Sequence, residues 1–448
     1  MLWRHLGLVR AWSAAGLLIG TMVGASARAE PDDSVPASDT VTRTVRVLDA
    51  KKAGDLALDV RGQGQGRVKV AIKNTSEKRL NVVLPPGLVA ASALGQGGRA
   101  GGGFQNMGLG AAGNREGGFG QFRNAANESG FRSVAVNPES TPHAVTVPVG
   151  QTVELMVPAV CLNYGLPTPN ARDRFELVDV DDFSRNPRVR KALRSLATYG
   201  TSLGTAQAAM WKVCNDLPFE FMLEQTTKIM NPKEIVLAAR FVEALDNSNG
   251  DGLVDPAYLT EGRLFVQVGG EGALAPDAAR LQRELDGLRV LGLPVRVVAA
   301  DEAPTANAPS LLVQAVLSDG KAGETRGRFL VSQADAASGL WVPVGKAAFR
   351  EETASSVLDG PTLARALDRE LASAFVTVKT LKHATGSTIL KVDNRLPFTI
   401  SGLTLKANGS AAAPTVAFPG LGIGPARSAN VAIQAPGGAV VHVELNGL

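Results

Sequence analysis

Residues 67–74 read RVKVAIKN, with Val68, Val70 and Ile72 on one side of the chain and Arg67, Lys69 and Lys73 on the other. This alternation has a period of two, which lays apolar side chains on one face of an extended strand and polar ones on the opposite face. The same texture continues outward as VTRTVRVLDA from Val41, LNVVLPPG from Leu80, SVAVNP from Ser133, AVTVPVG from Ala144 and TVELMVPAVC from Thr152. Gly, Pro and Asn punctuate these runs, so they read as short antiparallel strands. Together they predict a β-sandwich over residues 41–165.

A stretch rich in Gly, Asn and Gln, residues 94–130, interrupts the strands. Its few apolar side chains cannot offset the entropy of ordering it, so it reads as a long loop between two strands. The alternative is a glycine-rich adhesive loop, with Phe104, Phe119 and Phe122 as contact points.

Periodicity changes after Pro167. Asn186-Pro187 opens a helix on which Val189, Leu193 and Leu196 share a face, a second helix spans about 205–215, and Asn231-Pro232-Lys233-Glu234 is a helix start with a capping-box Glu. Residues 166–246 therefore form a small helical subdomain, followed by a polar loop at 247–260. From 261 to 382 strands such as RLFVQVGG and LPVRVVAA alternate with helices opened by Pro276 and by Asp359-Gly360-Pro361, an α/β pattern. Residues 383–448 return to short strands and predict a small C-terminal β-sandwich. The fold class expected is thus multi-domain α+β. The segments KVAIKNTSEKRLNVV and STILKVDNRLPFTISGL share a strand–Asn–turn–strand shape, too little to establish a duplication.

The N-terminus carries an address. Arg4 and Arg10 precede a short apolar run ending in Ala27-Arg28-Ala29, which together read as a secretory signal peptide over residues 1–29, followed by a polar linker at 30–40. Removing it takes three Arg and no acid, so 46 basic and 42 acidic residues become 43 and 42, a net charge of +1. Bulk charge then gives no reason to expect a nucleic-acid partner. No later apolar run reaches the roughly 18 residues of a spanning helix. The reading is an exported chain, periplasmic, on the cell surface or extracellular.

Chemistry-bearing motifs are sparse. After the signal, His143, His383 and His442 stand far apart, without metal-ligand spacing, and neither Ser202 nor Ser355 sits in a G-x-S-x-G elbow. Two features remain. On the helix TAQAAMWKVC, residues Gln207, Met210, Trp211 and Cys214 form one stripe, against which Cys161 can dock. Two Cys in an exported chain argue first for a disulfide between Cys161 and Cys214. It would close a loop of 214 − 161 = 53 residues, a cross-link worth about 4 kcal/mol on the chain-entropy model. The second feature is Asn247-Ser-Asn-Gly-Asp-Gly-Leu-Val-Asp255, which places oxygen ligands Asn247, Asn249, Asp251 and Asp255 as a calcium loop does. Tyr258 replaces the bidentate acid there, so calcium is at most a weak structural ligand; otherwise no cofactor is expected. The bland alternative is a polar turn ending the preceding helix.

The string Thr205-Ala-Gln-Ala-Ala-Met-Trp resembles the T-Q-x-A-I-W signature of thioester domains in Gram-positive surface adhesins. That resemblance implies Cys161 as thiol and Gln207 as acyl donor in a covalent adhesin, although an inserted Ala and a short Cys-to-Gln spacing depart from the pattern. More broadly, VCLNYGLPTPN, AQAAMW and the Gly-rich insertion resemble a family of uncharacterised exported bacterial proteins, which implies architecture and export but no activity. The function expected is non-enzymatic binding or scaffolding, with an unknown protein or cell-envelope component as partner. The alternatives are the thioester adhesin and a secreted hydrolase.

Overall fold

Val68, Val70 and Ile72 are fully buried, as the alternation of RVKVAIKN predicts. Their strand, Arg67–Asn74, pairs antiparallel with Leu56–Gly62 on one side and with Thr152–Cys161 on the other. The structure is a computed structural model that describes residues 42–64, 66–92, 103–113, 116–117, 144–250, 252–307, 309–320, 324–352, 358–384, 387–407, 415–433 and 437–448. Residues 1–40, expected as signal peptide and linker, the strand expected at 133–138, and Phe119 and Phe122 lie outside the described residues.

The N-terminal strands close on themselves. Met107–Leu109 pairs with Thr152–Cys161, Leu88–Ser92 with Met107–Leu109, and Arg174–Asp179 joins Leu88–Ser92 to Leu56–Gly62. The result is a six-stranded antiparallel barrel where a sandwich was expected. Two strands hidden from the reading make the difference. RFELVD lies within the stretch assigned to helices, and it buries Phe175 and Leu177. Met107–Leu109 lies inside the Gly-rich stretch expected to be a loop. A separate three-stranded sheet of Arg43–Arg46, Leu80–Val83 and Ala144–Val147 packs beside the barrel.

The described residues of the Gly-rich stretch have a packing purpose. Ala111 and Ala112 are buried, and Gly113 N–H donates to the Thr201 carbonyl at 2.7 Å. A Cβ on Gly113 would stand 2.5 Å from the Gly422 Cα, so only Gly fits on each side of this contact. Glu116–Gly117 then pairs parallel with Ser428–Ile433, adding a strand from the N-terminal half to a C-terminal sheet.

Helices Pro187–Tyr199 and Pro232–Asn247 begin at the predicted caps, while Leu203–Asn215 begins two residues before the expected start, where Ser202 accepts from Thr205 N–H. Asn186 caps the first, and Asn231 and Glu234 form both halves of a capping box on the third in chain order. These helices share one apolar core with the barrel. A second core joins the six-stranded sheet, order Arg289–Val290, Leu293–Val297, Leu264–Gly270, Leu311–Asp319, Glu324–Ala334, Trp341–Glu352, to helices Ala278–Leu285 and Gly360–Phe375 and to the two C-terminal sheets. Leu237 of the third helix belongs to the second core, while Leu448 belongs to the first. Residues Val41–Leu448 are accordingly one compact unit with α+β architecture.

Candidate functional site

The stripe Gln207, Met210, Trp211 and Cys214 faces the end of the barrel strand Thr152–Cys161, as the helical spacing predicts. The reason is a gap in the ladder. Strand Arg67–Asn74 accompanies Thr152–Cys161 only as far as the pair Arg67 and Pro158, and the Ala159 N–H still reaches the Gly66 carbonyl. Beyond that point Cys161 has an N–H and a C=O with no strand neighbour on this side. The Gln207 side chain fills both: its Oε1 accepts from Cys161 N–H at 2.8 Å, and its Nε2 donates to the Cys161 carbonyl at 2.8 Å. A side-chain amide carries one donor and one acceptor face, so it serves as one more residue of the barrel.

The Cys161 sulfur donates to the Asn163 carbonyl at 3.2 Å. Asn163 in turn accepts from the Asn106 side chain at 2.7 Å, and Asn106 accepts from Ser92 N–H at 2.7 Å, which fixes the chain leaving the strand. Trp211 Nε1 is buried without a partner of hydrogen-bond geometry and sits beside the Cys161 sulfur. Burial pushes the Cys161 thiol up, opposed in part by the Trp211 indole and by the main chain at Asn163. Burial also pushes the Cys214 thiol up, to about 12, with the nearby Cys161 adding to it. Both side chains are therefore protonated thiols at neutral pH. The two are not bonded to each other in the structure.

Over this junction lies an aromatic surface. Tyr164 meets Trp211 edge-on at 5.0 Å and Phe221 edge-on at 6.0 Å. Its N–H donates to Asn215 Oδ1 at 3.2 Å, which ties it to the same helix. Tyr164 is 40% exposed and Phe221 37%, large values for rings. Helix Phe219–Gln225, which presents Phe221, is absent from the sequence reading because FEFMLEQ is too short to display a period.

The calcium-like loop holds a different cation. The carbonyls of Ser248, Asn249 and Gly250 accept from Lys191 Nζ at 3.0, 3.3 and 2.9 Å, and Lys191 is only 6% exposed. Asp255 caps the helix Pro256–Thr260 by accepting from Ala257 N–H, Asn247 ends the preceding helix, and Asp251 lies outside the described residues. Sequence alone gave no sign that a lysine 56 positions upstream would reach this loop, counting 247 − 191. Among the described residues no group of three His, Cys, Asp or Glu is placed to hold a metal ion. His442 pairs with Asp368 at 3.0 Å, and His143 lies outside the described residues. Among the described residues no helix is long and apolar enough to cross a membrane.

No family model matches the chain, and a search of curated proteins finds no match.

Proposed function

We propose that this chain is an exported, non-enzymatic binding or scaffolding protein of the cell envelope, and that it meets its partner through the Tyr164–Phe221 surface. The observation that carries the reading is the direction in which the junction spends its chemistry. Gln207 is consumed by the Cys161 main chain, both thiols are protonated, and the group turned outward is an aromatic pair braced on Trp211. Exposed aromatic rings on a rigid support are a common basis for recognition, because they bury much area at little entropic cost. The partner is an envelope component or another exported protein.

The test is fractionation followed by retention. The wild-type chain should be found outside the cytoplasm starting at Glu30, and it should be retained on isolated envelopes. Y164S/F221S should keep its circular dichroism and lose most of that retention. Equal retention of the variant, or a chain that stays in the cytoplasm at full length, would sink the reading.

One observation favours a second reading, the covalent thioester adhesin: Gln207 does lie against Cys161. In that reading the Cys161 sulfur would attack the Gln207 carboxamide carbon and expel ammonia. The amide would first have to release both hydrogen bonds to the Cys161 main chain, and the sulfur would have to leave Asn163. The first reading requires neither movement.

A further inference from the structure

The clamp leaves a consequence at the sulfur. Gln207 holds Cys161 by its main chain and makes no hydrogen bond to the thiol, which lies beside Trp211 of the same helix. Cys214 is three residues after Trp211, hence on the same helix face at the next turn. The next residue along, Asn215, bonds Tyr164, three residues past Cys161. The helix and the segment 161–164 therefore run side by side, pinned at Cys161 by Gln207 and at Tyr164 by Asn215, with Cys161 at the first pin, Cys214 next to the second and each thiol within the other's electrostatic reach. Cys161 is buried and Cys214 is partly exposed. The chain has only these two Cys.

We propose that Cys214 and Cys161 are a redox-closable pair: a disulfide donor enters at Cys214, and Cys161 completes a bridge that locks the helix Leu203–Asn215 to the last residue of the barrel strand. The electron count closes with a donor RSSR. Cys214 loses its proton to solvent and its thiolate attacks RSSR, breaking the donor S–S bond and releasing one RSH. Cys161 then loses its proton and attacks the Cys214 sulfur of the mixed disulfide, releasing the second RSH. The two Cys are oxidised by two electrons, and the donor is reduced to two thiols. The donor class is a small disulfide or a disulfide-bearing oxidoreductase. The inference goes beyond the binding reading and does not depend on where the chain acts. It also assigns the Cys161 sulfur to an exchange that excludes a thioester at the same atom.

The experiment uses the folded, reduced mature chain with excess oxidised glutathione, followed by acid quenching and intact mass. The wild type should lose two hydrogens, on the order of hours for buried thiols, and digestion should give one cross-linked fragment holding both Cys. C161S should stop at one stable glutathionyl adduct, and C214S should be modified roughly tenfold more slowly, since the remaining thiol is buried. Five results would overturn the proposal: two unmodified thiols in the wild type, a wild type that halts at the adduct, a disulfide-linked dimer, closure only after unfolding in denaturant, or an adduct that forms faster in C214S than in C161S. The wild-type measurement stands even if a Ser variant fails to fold.

Discussion

At the scale of single residues, Gln207, Lys191 and His442 each make a separable prediction. Gln207 satisfies two buried main-chain groups, so Q207L leaves both unpaired and should cost about 2–4 kcal/mol in denaturant unfolding. Q207E should be comparably harmful, because a carboxylate cannot donate to the Cys161 carbonyl. A Q207L variant as stable as the wild type would mean that the clamp is incidental. Lys191 supplies the cation of the 248–250 turn, so calcium should not raise the melting temperature of the wild type, and K191M should cost about 2 kcal/mol through three freed carbonyls. A calcium-dependent rise in the wild type would contradict this. His442 is raised from its ordinary value of 6.5 by its hydrogen bond to Asp368, opposed by partial burial. A group raised on folding stabilises fully below its unfolded pKa, and that contribution fades as pH rises through the folded pKa. The advantage of wild type over H442Q should therefore be complete below about pH 6.5 and should shrink above it; with the ring half exposed it stays under about 1 kcal/mol. An advantage that grows with pH would refute the pairing.

At the scale of elements, the two ends of the molecule use one device. Asn74 Nδ2 donates to the carbonyls of Lys78 and Val147, and its Oδ1 accepts from Ser76 N–H. Asn394 Nδ2 donates to Phe398, Ile423 and Gly424, and its Oδ1 accepts from Leu396 N–H. In both places a buried Asn closes the turn after a strand and ties it to a neighbouring strand's end. N74A and N394A should each lose about 2–4 kcal/mol, read by thermal or denaturant unfolding, whereas a loss below about 0.5 would mean the turns hold themselves. This parallel was legible in the text as a shared strand–Asn–turn–strand shape. Helix starts were legible too, at Asn186, Asn231 and Asp359, because a cap is a local event between a side chain and an amide two or three residues on. What stayed hidden was non-local or short. RFELVD closes a barrel only because Leu88–Ser92 and Leu56–Gly62 have room on each side, and Met107–Leu109 is three residues among glycines. VLDA, the end of the run expected as a strand from Val41, instead begins the helix Val47–Ala53, which ends at Gly54 in the left-handed region. At the site, the stripe of Gln207 and Cys214 and its approach to Cys161 could be read from spacing, while the clamp on the main chain could not, since it depends on where a neighbouring strand stops.

At the scale of the whole molecule, the two cores are joined by contacts that tolerate little change. Glu234, 1% exposed, accepts from Arg427 at 2.6 Å, from Ser202 at 2.8 Å and from Asn231 N–H at 2.9 Å, so the capped helix is tied to the C-terminal sheets. R427M would leave that carboxylate buried without its counter-charge, at a cost of about 3–5 kcal/mol. A near-neutral R427M would mean that the seam between the cores contributes little to folding. Gly113 and Gly422 meet backbone to backbone at the same seam, where the Gly-rich insertion crosses from one half to the other. These long-range ties join the helices that carry the site to the C-terminal sheets, and in the proposed binding reading a preorganised support is what keeps the cost of association low. In the structure Gln207 and Cys161 are joined by hydrogen bonds and by no covalent bond. The most direct test is the intact mass of the unreduced, purified protein with and without methylamine. The mass should be full or short by two hydrogens, and methylamine should leave it unchanged. A mass short by one ammonia, which methylamine adds into, would contradict the claim and establish a thioester between these two residues.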